Sequence, residues 1–164
     1  MASAPINTSK VTGRRELLFT SIDDIRTDVE KLATCKEVTA LGNWSSGQVL
    51  QHLALVMNGC IDGNPDVVPR FVRFFLRLLF KRRFLTKPMP AGFQLPAAGA
   101  ALVPGPTTWE EGLANFRRAI ARLDVESERA RHPALGPLTR AEWDQMHCRH
   151  SELHLSFLVP VYPR

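Results

Sequence analysis

Two histidines near the C-terminus are spaced for metal binding. His150 and His154 lie four residues apart in a segment with helical features, and residues at i and i+4 lie one above the other on one helix face. Two imidazoles held in this way can bind one metal ion. A third histidine, His52, lies in another helical segment. Three imidazoles carried by helices predict an open, reactive metal site rather than a closed structural one.

The predicted last helix places its histidines among its apolar residues. At about 100° per residue, an arc of about 60° contains Trp143, His147, His150 and His154. The opposite, solvent-facing side is expected to carry Gln145, Arg149, Glu152 and Ser156. Buried imidazoles need polar partners, and a shared cation would satisfy a pair of them; hydrogen-bonded core histidines are the alternative. His147 either supports a metal ligand or faces a substrate.

Length and composition limit the number of domains and the kind of protein that the chain can form. The 164 residues suit one domain, with a flexible N-terminus over 1–12 and a single domain over 13–164. The three cysteines, Cys35, Cys60 and Cys148, have no CxxC spacing, which predicts a reducing, cytoplasmic setting rather than a disulfide scaffold. The sequence contains no apolar N-terminal signal segment and no stretch of eighteen uncharged apolar residues.

Apolar periodicity predicts four long helices, at about 14–35, 45–61, 108–130 and 139–158. Capping-box patterns begin the last three: Ser45 with Gln48, Thr108 with Glu111, and Thr139 with Glu142. No strand pattern is evident. The prediction is an all-α fold in which four helices form a bundle. In it, Gly59 would permit close helix approach, and Glu152 would be a solvated charge.

An insertion separates the second and third main helices. Residues 63–107 are too long for a simple connection. They contain an additional basic, apolar helix predicted at 67–85, followed by a loop rich in proline and glycine over 88–106. Long loops in compact domains often act as lids or binding loops.

The additional helix carries a basic stripe at helical spacing, formed by Arg70, Arg73, Arg77 and Lys81. Three roles are open for this helix. It could cover the bundle or a dimer partner; its arginines could contact a small anionic substrate; or it could lie on an anionic membrane surface. The chain has no recognised nucleic-acid-binding motif, so the net charge of +5 does not predict a nucleic-acid partner.

Several motifs in a fixed order resemble one family. Residues 44–53 read Trp-Ser-Ser-Gly-Gln-Val-Leu-Gln-His-Leu and precede the His150-x-x-x-His154 pair. Residues 88–93 read Pro-Met-Pro-Ala-Gly-Phe, and residues 132–143 begin His-Pro and end Glu-Trp. Together these resemble the DinB-like superfamily over about residues 14–158, in particular a bacterial branch of unknown function.

This resemblance implies a four-helix bundle with an inserted segment and a divalent metal bound by three histidines. The family's ligand positions correspond to His52, His150 and His154. Some relatives carry a further histidine where this chain has Leu153. Histidine suits zinc, nickel and iron alike, so the metal's identity stays open.

Characterised members of the superfamily include transferases and isomerases that use low-molecular-weight thiols. The resemblance therefore implies a thiol-dependent reaction, with metal-assisted hydrolysis as a sibling possibility, because a bound divalent ion lowers the pKa of a water or thiol. No HExxH motif is present. The alternative function is a non-enzymatic bundle that acts through dimer or membrane contacts. Related bundles often pair, so a homodimer is expected.

Overall fold

Helices make up most of the structure. A computed structural model describes residues 5–65, 68–92 and 97–161 of the chain; for residues 97 and 98 it describes the backbone alone. Within these ranges the helices are α1 (Ile22–Ala33), α2 (Ser46–Asp62), α3 (Arg70–Thr86), α4 (Trp109–Val125) and α5 (Arg140–Leu155). The 3₁₀ turns are Thr8–Lys10 and Ala97–Leu102, and the strands are β1 (Glu37–Ala40) and β2 (Leu158–Val161). The predicted helical character is confirmed, whereas the two strands were not predicted.

The capping boxes begin the helices as predicted. Ser45, Thr108 and Thr139 are the N-cap residues of α2, α4 and α5, and each side chain accepts a hydrogen bond from a backbone N–H three residues later. In return, the Gln or Glu side chain at that third position accepts from the backbone N–H of the cap. This reciprocal pairing satisfies donors that a helix start otherwise leaves unpaired.

The predicted first helix is wrong over its first two turns. Helix α1 begins only at Ile22, where Ser21 and Asp24 form a capping box. The residues before it are non-helical and lie against α5: the backbone N–H of Arg15 donates to the carbonyl of Ser156 (2.9 Å). The backbone N–H of Phe19 donates to a carboxylate oxygen of Glu152 (2.6 Å). This segment therefore covers the face of α5 that was predicted to meet solvent.

Glu152 is consequently a buried carboxylate rather than a solvated one. Its side chain is 8% exposed, and it pairs with the guanidinium of Arg149 as well as with the N–H of Phe19. Ser156, also predicted on the wet side, is buried and accepts from the guanidinium of Arg14. Both residues are buried because a second segment, which the periodicity of α5 alone does not reveal, covers this face of the helix.

Helices α2 and α4 form the most extensive helix pair and run parallel. Gln51 contacts Asn115 near their starts, and Asp62 pairs with Arg122 further along both. Two glycines permit this approach, because a Cβ on Gly47 would overlap the backbone of Thr108, and one on Gly112 would overlap that of Gly47. Parallel helices need a connection that returns along their whole length, which accounts for the long segment between them.

Gly59 does not serve the predicted close helix approach. The space that a Cβ would occupy there is filled by the side chain of Asn64, just beyond the end of α2. Gly59 therefore accommodates the turn that leaves this helix rather than a neighbouring helix.

Several predicted boundaries also shift. Helix α4 ends at Val125, five residues before the predicted end, and α5 ends at Leu155, after which the chain enters β2. The predicted start of the additional helix at Val67 lies outside the described residues, as do residues 93–96 of the Pro/Gly-rich loop. Among the described helices, none combines the length and apolar character needed to cross a membrane.

The two-stranded sheet links the segment before α2 to the segment after α5, the two helices that carry the histidines. Strands β1 and β2 pair antiparallel, from Glu37 opposite Val161 to Ala40 opposite Leu158. The backbone N–H of Leu41 continues the pairing by donating to the carbonyl of Phe157 (3.0 Å). The sheet thus holds the chain that enters α2 beside the chain that leaves α5.

Candidate metal centre

Three imidazole nitrogens converge at the junction of α2 and α5. The Nε2 of His150 lies 3.3 Å from the Nε2 of His52 and 3.0 Å from the Nε2 of His154. One ligating atom from each of the three residues lies within 4.8 Å of the other two. The structure therefore brings together the three histidines that were predicted as metal ligands, and their arrangement can hold a metal ion.

The distances from the Nε2 of His150 to the other two Nε2 atoms match those between nitrogens that bind the same metal ion. Imidazole nitrogens at about 2.0–2.1 Å from one ion lie about 3.0 Å apart at right angles and about 3.3 Å apart at the tetrahedral angle. The two separations measured from the Nε2 of His150, 3.0 Å to His154 and 3.3 Å to His52, fall at these values. Both a tetrahedral and an octahedral ion therefore suit these contacts, and the distances do not select the metal.

The tautomer of His52 is set by the loop before α4. Its Nδ1 lies 2.7 Å from the carbonyl oxygen of Leu102, and a carbonyl can only accept, so Nδ1 must carry the hydrogen. The Nε2 of His52 then presents a lone pair towards His150. Many metal-binding histidines are oriented by such a bond from the other ring nitrogen to a backbone carbonyl.

The two contacts between Nε2 atoms cannot both be hydrogen bonds. The Nε2 of His150 is close to two other Nε2 atoms, and in a neutral ring it can carry only one hydrogen. That hydrogen cannot point along both contacts at once, and His52 has none to contribute from this nitrogen. A cation at the point where the three nitrogens converge would satisfy all of the lone pairs.

The electrostatics keep the three rings neutral. Burial lowers the pKa of His150 well below its usual 6.5, and the imidazoles of His154 and His52 lower it further. Burial, then His52, then Arg14 lower the pKa of His154 in the same way. Burial also lowers the pKa of His52. Neutral imidazole is the form that binds a metal, so these ligands are ready near neutral pH.

Trp44 forms one wall of the cluster. Its ring stacks on His154 with centroids 5.6 Å apart and 16° between the planes, and lies 4.8 Å from the centroid of His52. The sequence does not predict this contact, because Trp44 precedes the N-cap of α2 and therefore has no helical periodicity that would indicate its neighbours. As whole residues, His52 is buried, whereas His150 and His154 are half-buried.

Arg14 holds the end of α5 next to the cluster. Its guanidinium donates to the hydroxyl of Ser156 (2.7 Å) and to the carbonyl of Leu153 (3.4 Å). It also lies 4.2 Å from the centroid of the Phe157 ring, in a cation–π contact. Sequence reasoning missed this residue because it placed Arg14 at the start of a helix, far from any histidine.

His147 has a different environment from the triad. It is 1% exposed, stacks on Trp143 with centroids 5.6 Å apart, and its Nε2 lies 3.3 Å from the Sγ of Cys60. Burial lowers its pKa to about 3, with smaller contributions from Arg129 and His132. Burial raises the pKa of Cys60 to about 11, so both groups are neutral at pH 7.

The residues predicted to contact an anion or a membrane lie mostly against the protein itself. Arg73 is buried, the guanidinium of Arg77 donates to the carbonyls of Leu135 and Pro137, and Lys81 forms an ion pair with Glu142. Arg70 is exposed at the start of α3. The basic stripe therefore attaches α3 to α5 and to the turn before it.

Comparison with known proteins identifies a family but no characterised relative. A family model described as "Protein of unknown function (DUF1569)" matches residues 11–161. No curated protein and no solved structure gives a significant match. The matched range includes both histidine-bearing helices, the two strands and the segment between α2 and α4.

Proposed function

The chain belongs to the DUF1569 family of unknown function, and we propose that it is a metalloprotein whose His52, His150 and His154 bind one divalent transition-metal ion. The observation that carries this proposal is the convergence of three Nε2 atoms at 3.0 and 3.3 Å. Zinc, nickel and iron all accept imidazole ligands.

The direct test is metal content. Protein expressed without a His tag and purified without chelator is analysed by plasma mass spectrometry, as wild type and as His150→Ala and His154→Ala. We expect about one equivalent of a transition metal in the wild type and strong depletion in both variants. His132→Asn is the matched control, because it removes a histidine outside the cluster. A wild type that holds no metal even after incubation with Zn²⁺ or Ni²⁺ would refute the proposal.

We further propose a DinB-like arrangement, in which α1, α2, α4 and α5 form the four-helix bundle and residues 63–107 form the insertion. Its support is that α2 packs on α4 and α5, and α1 contacts both α4 and α5. In this arrangement the three ligands come from two of the four helices. An experimental structure of the metal-loaded protein tests both the bundle and the coordination.

From the resemblance to the DinB-like superfamily, we propose a thiol-dependent transfer or isomerisation, with metal-assisted hydrolysis as the second possible reaction. A divalent ion held by three neutral imidazoles keeps its full charge and makes a thiol or a water molecule nucleophilic near pH 7. The chain's own contribution is orientation: Leu102 holds His52, and Trp44 holds His154. Three histidine ligands, rather than the four protein ligands of a closed structural site, support an open site.

The activity is tested with metal-loaded protein, a panel of low-molecular-weight thiols and electrophilic acceptors, monitored as thiol consumption. We expect turnover that needs both the thiol and the metal, and that His150→Ala abolishes. Turnover in water alone with an ester or amide substrate would favour hydrolysis instead. Metal binding without turnover in either screen would favour the alternative, a non-enzymatic module.

A further inference from the structure

Helix α3 is attached through its basic side. Arg73 is 5% exposed, Arg77 donates to the carbonyl of Leu135 (3.3 Å), and Lys81 pairs with Glu142 on α5. These three residues recur every four positions and so form one stripe along the helix. An amphipathic helix normally places its apolar face on the body and its charges in water. Here the orientation is largely reversed, although Leu76 and Leu85 also pack against the core.

The reversal exposes a continuous apolar surface. The outward arc of α3, which we term the α3 apolar face, consists of Phe71, Phe74, Phe75, Leu78 and Leu79. Each of these side chains is between 56% and 68% exposed. At about 100° per residue they span an arc of roughly 140°, whose centre lies about 130° around the helix from that of the basic stripe. Large contiguous apolar patches are rare on soluble monomers and usually mark an interaction site.

The positive charge around this face favours an anionic partner over a second copy of the chain. Between Asp66 and Glu110 the chain has no acidic residue, and all seven of its charged residues are basic. Three of these contact the body, while Arg70, Arg82, Arg83 and Lys87 are exposed at the two ends of the helix. A second copy docked symmetrically through this face would bring like charges together, which is unfavourable. A partner surface with anionic groups on the outside and an apolar layer beneath them would complement both the apolar side chains and the exposed basic residues.

We infer that α3 docks on an anionic lipid membrane, lying along its surface. The α3 apolar face enters the boundary between headgroups and acyl chains, and the exposed basic residues contact anionic headgroups. This is the arrangement of interfacial amphipathic helices, which carry aromatic and leucine side chains on one face and Lys or Arg beside it. Each basic residue near such a surface strengthens binding by about fivefold.

Co-sedimentation of the full chain with lipid vesicles tests this inference. Vesicles of phosphatidylcholine alone are compared with vesicles containing one quarter phosphatidylglycerol. We expect partitioning at least tenfold stronger into the anionic vesicles, weakened by added salt because the charges are exposed. Absence of binding to anionic vesicles, or equal binding to both kinds, would overturn the inference.

Two double variants separate the apolar and electrostatic contributions. Leu78→Gln with Leu79→Gln removes part of the apolar face, and Arg82→Gln with Arg83→Gln removes two exposed charges. We expect each pair to weaken anionic-vesicle binding by tenfold or more. Val125→Gln is the control, because it removes an apolar side chain that is 80% exposed at the end of α4. Circular dichroism checks that each variant is folded, and wild-type binding by both double variants would overturn the inference.

The competing partner is a second copy of the chain. Light scattering coupled to size exclusion, without lipid, measures the oligomeric state of the wild type and the Leu78→Gln, Leu79→Gln variant. Docking on lipid predicts the same mass for both. A dimer that this variant converts to a monomer would overturn the inference and assign the α3 apolar face to self-association.

Discussion

The Nδ1 of His52 and the carbonyl oxygen of Leu102 are 2.7 Å apart. This single contact determines which nitrogen of His52 faces His150, and it makes the loop before α4 part of the candidate metal centre. The loop is itself held from α2, because the side-chain amide of Gln48 donates to the carbonyls of Pro104 and Gly105 (both 3.3 Å).

Gln48→Ala is therefore expected to weaken metal binding by about tenfold, the lower end of what loss of an orienting partner causes. The affinity is measured by competition with a chromophoric chelator. Gln48 also completes the capping box of α2, so the matched control is Asp24→Ala, which removes the corresponding capping residue of α1, away from this loop. Equal weakening in both variants would show that the effect comes from helix capping.

Stability is expected to fall as the pH is lowered below about 6.5. Burial, with Arg73 as a smaller cause, lowers the pKa of His132 to about 4, and His147 has a pKa of about 3. Both rings gain protons more readily in the unfolded chain, where the pKa is about 6.5. Their contribution is complete above that value and is lost progressively as the pH falls towards 4 and then 3.

Chemical denaturation of metal-free protein between pH 7 and 4.5 measures this dependence. The Nδ1 of His132 accepts from the backbone N–H groups of Ala134 and Leu135, and the Oδ1 of asparagine can replace it. His132→Asn should therefore reduce the slope by about 1 kcal/mol per pH unit within this window. An unchanged slope would show that His132 does not titrate with folding.

Glu152→Ala is expected to lower the free energy of unfolding by about 3 kcal/mol. The substitution leaves the guanidinium of Arg149 and the N–H of Phe19 without their buried carboxylate, and breaking a buried ion pair in this way costs about 3–5 kcal/mol. Urea denaturation provides the measurement. Glu110→Ala, an exposed residue in the first turn of α4, should change stability by less than about 0.5 kcal/mol. Similar small losses in both would contradict the burial of Glu152.

Gly47→Ala is expected to destabilise the protein by about 1–3 kcal/mol, since an added methyl in a close-packed contact forces the backbone to shift. The neighbouring atoms are the backbone of Thr108, which cannot rotate away. The control is Gly105→Ala, where no atom lies within 4 Å of the added Cβ. Thermal unfolding compares the two, and an undiminished Tm in Gly47→Ala would contradict the close approach of α2 and α4.

Much of the helical framework follows from local chemistry. The capping boxes at Ser45, Thr108 and Thr139 locate three helix starts to within one residue, because a cap and its partner three positions later interact within a single turn. The pairing of His150 with His154 is local for the same reason. His52 was assigned as their partner by resemblance to a family, and the structure brings it to them across 98 positions of the chain.

The errors share one physical origin. Leu17 and Leu18 suit a helical period, yet α1 begins at Ile22, because the preceding residues form hydrogen bonds with α5 that a helix could not make. The same packing buried Glu152. Periodicity reports which face of an isolated helix is apolar, and it contains no information about a second segment that covers the other face.

The sequence by itself determined the helical class, the cap positions, the histidine pair and the basic, acid-free character of the segment that contains α3, since each depends on residues within a few turns of one another. Only the tertiary structure decided that the imidazoles of α2 and α5 meet and that Leu102 orients His52. It also decided that Arg73 and Arg77 of α3 face the body while phenylalanines of the same helix face solvent. These depend on contacts between distant segments, and the free energy of such contacts overrides the preference of any single helix.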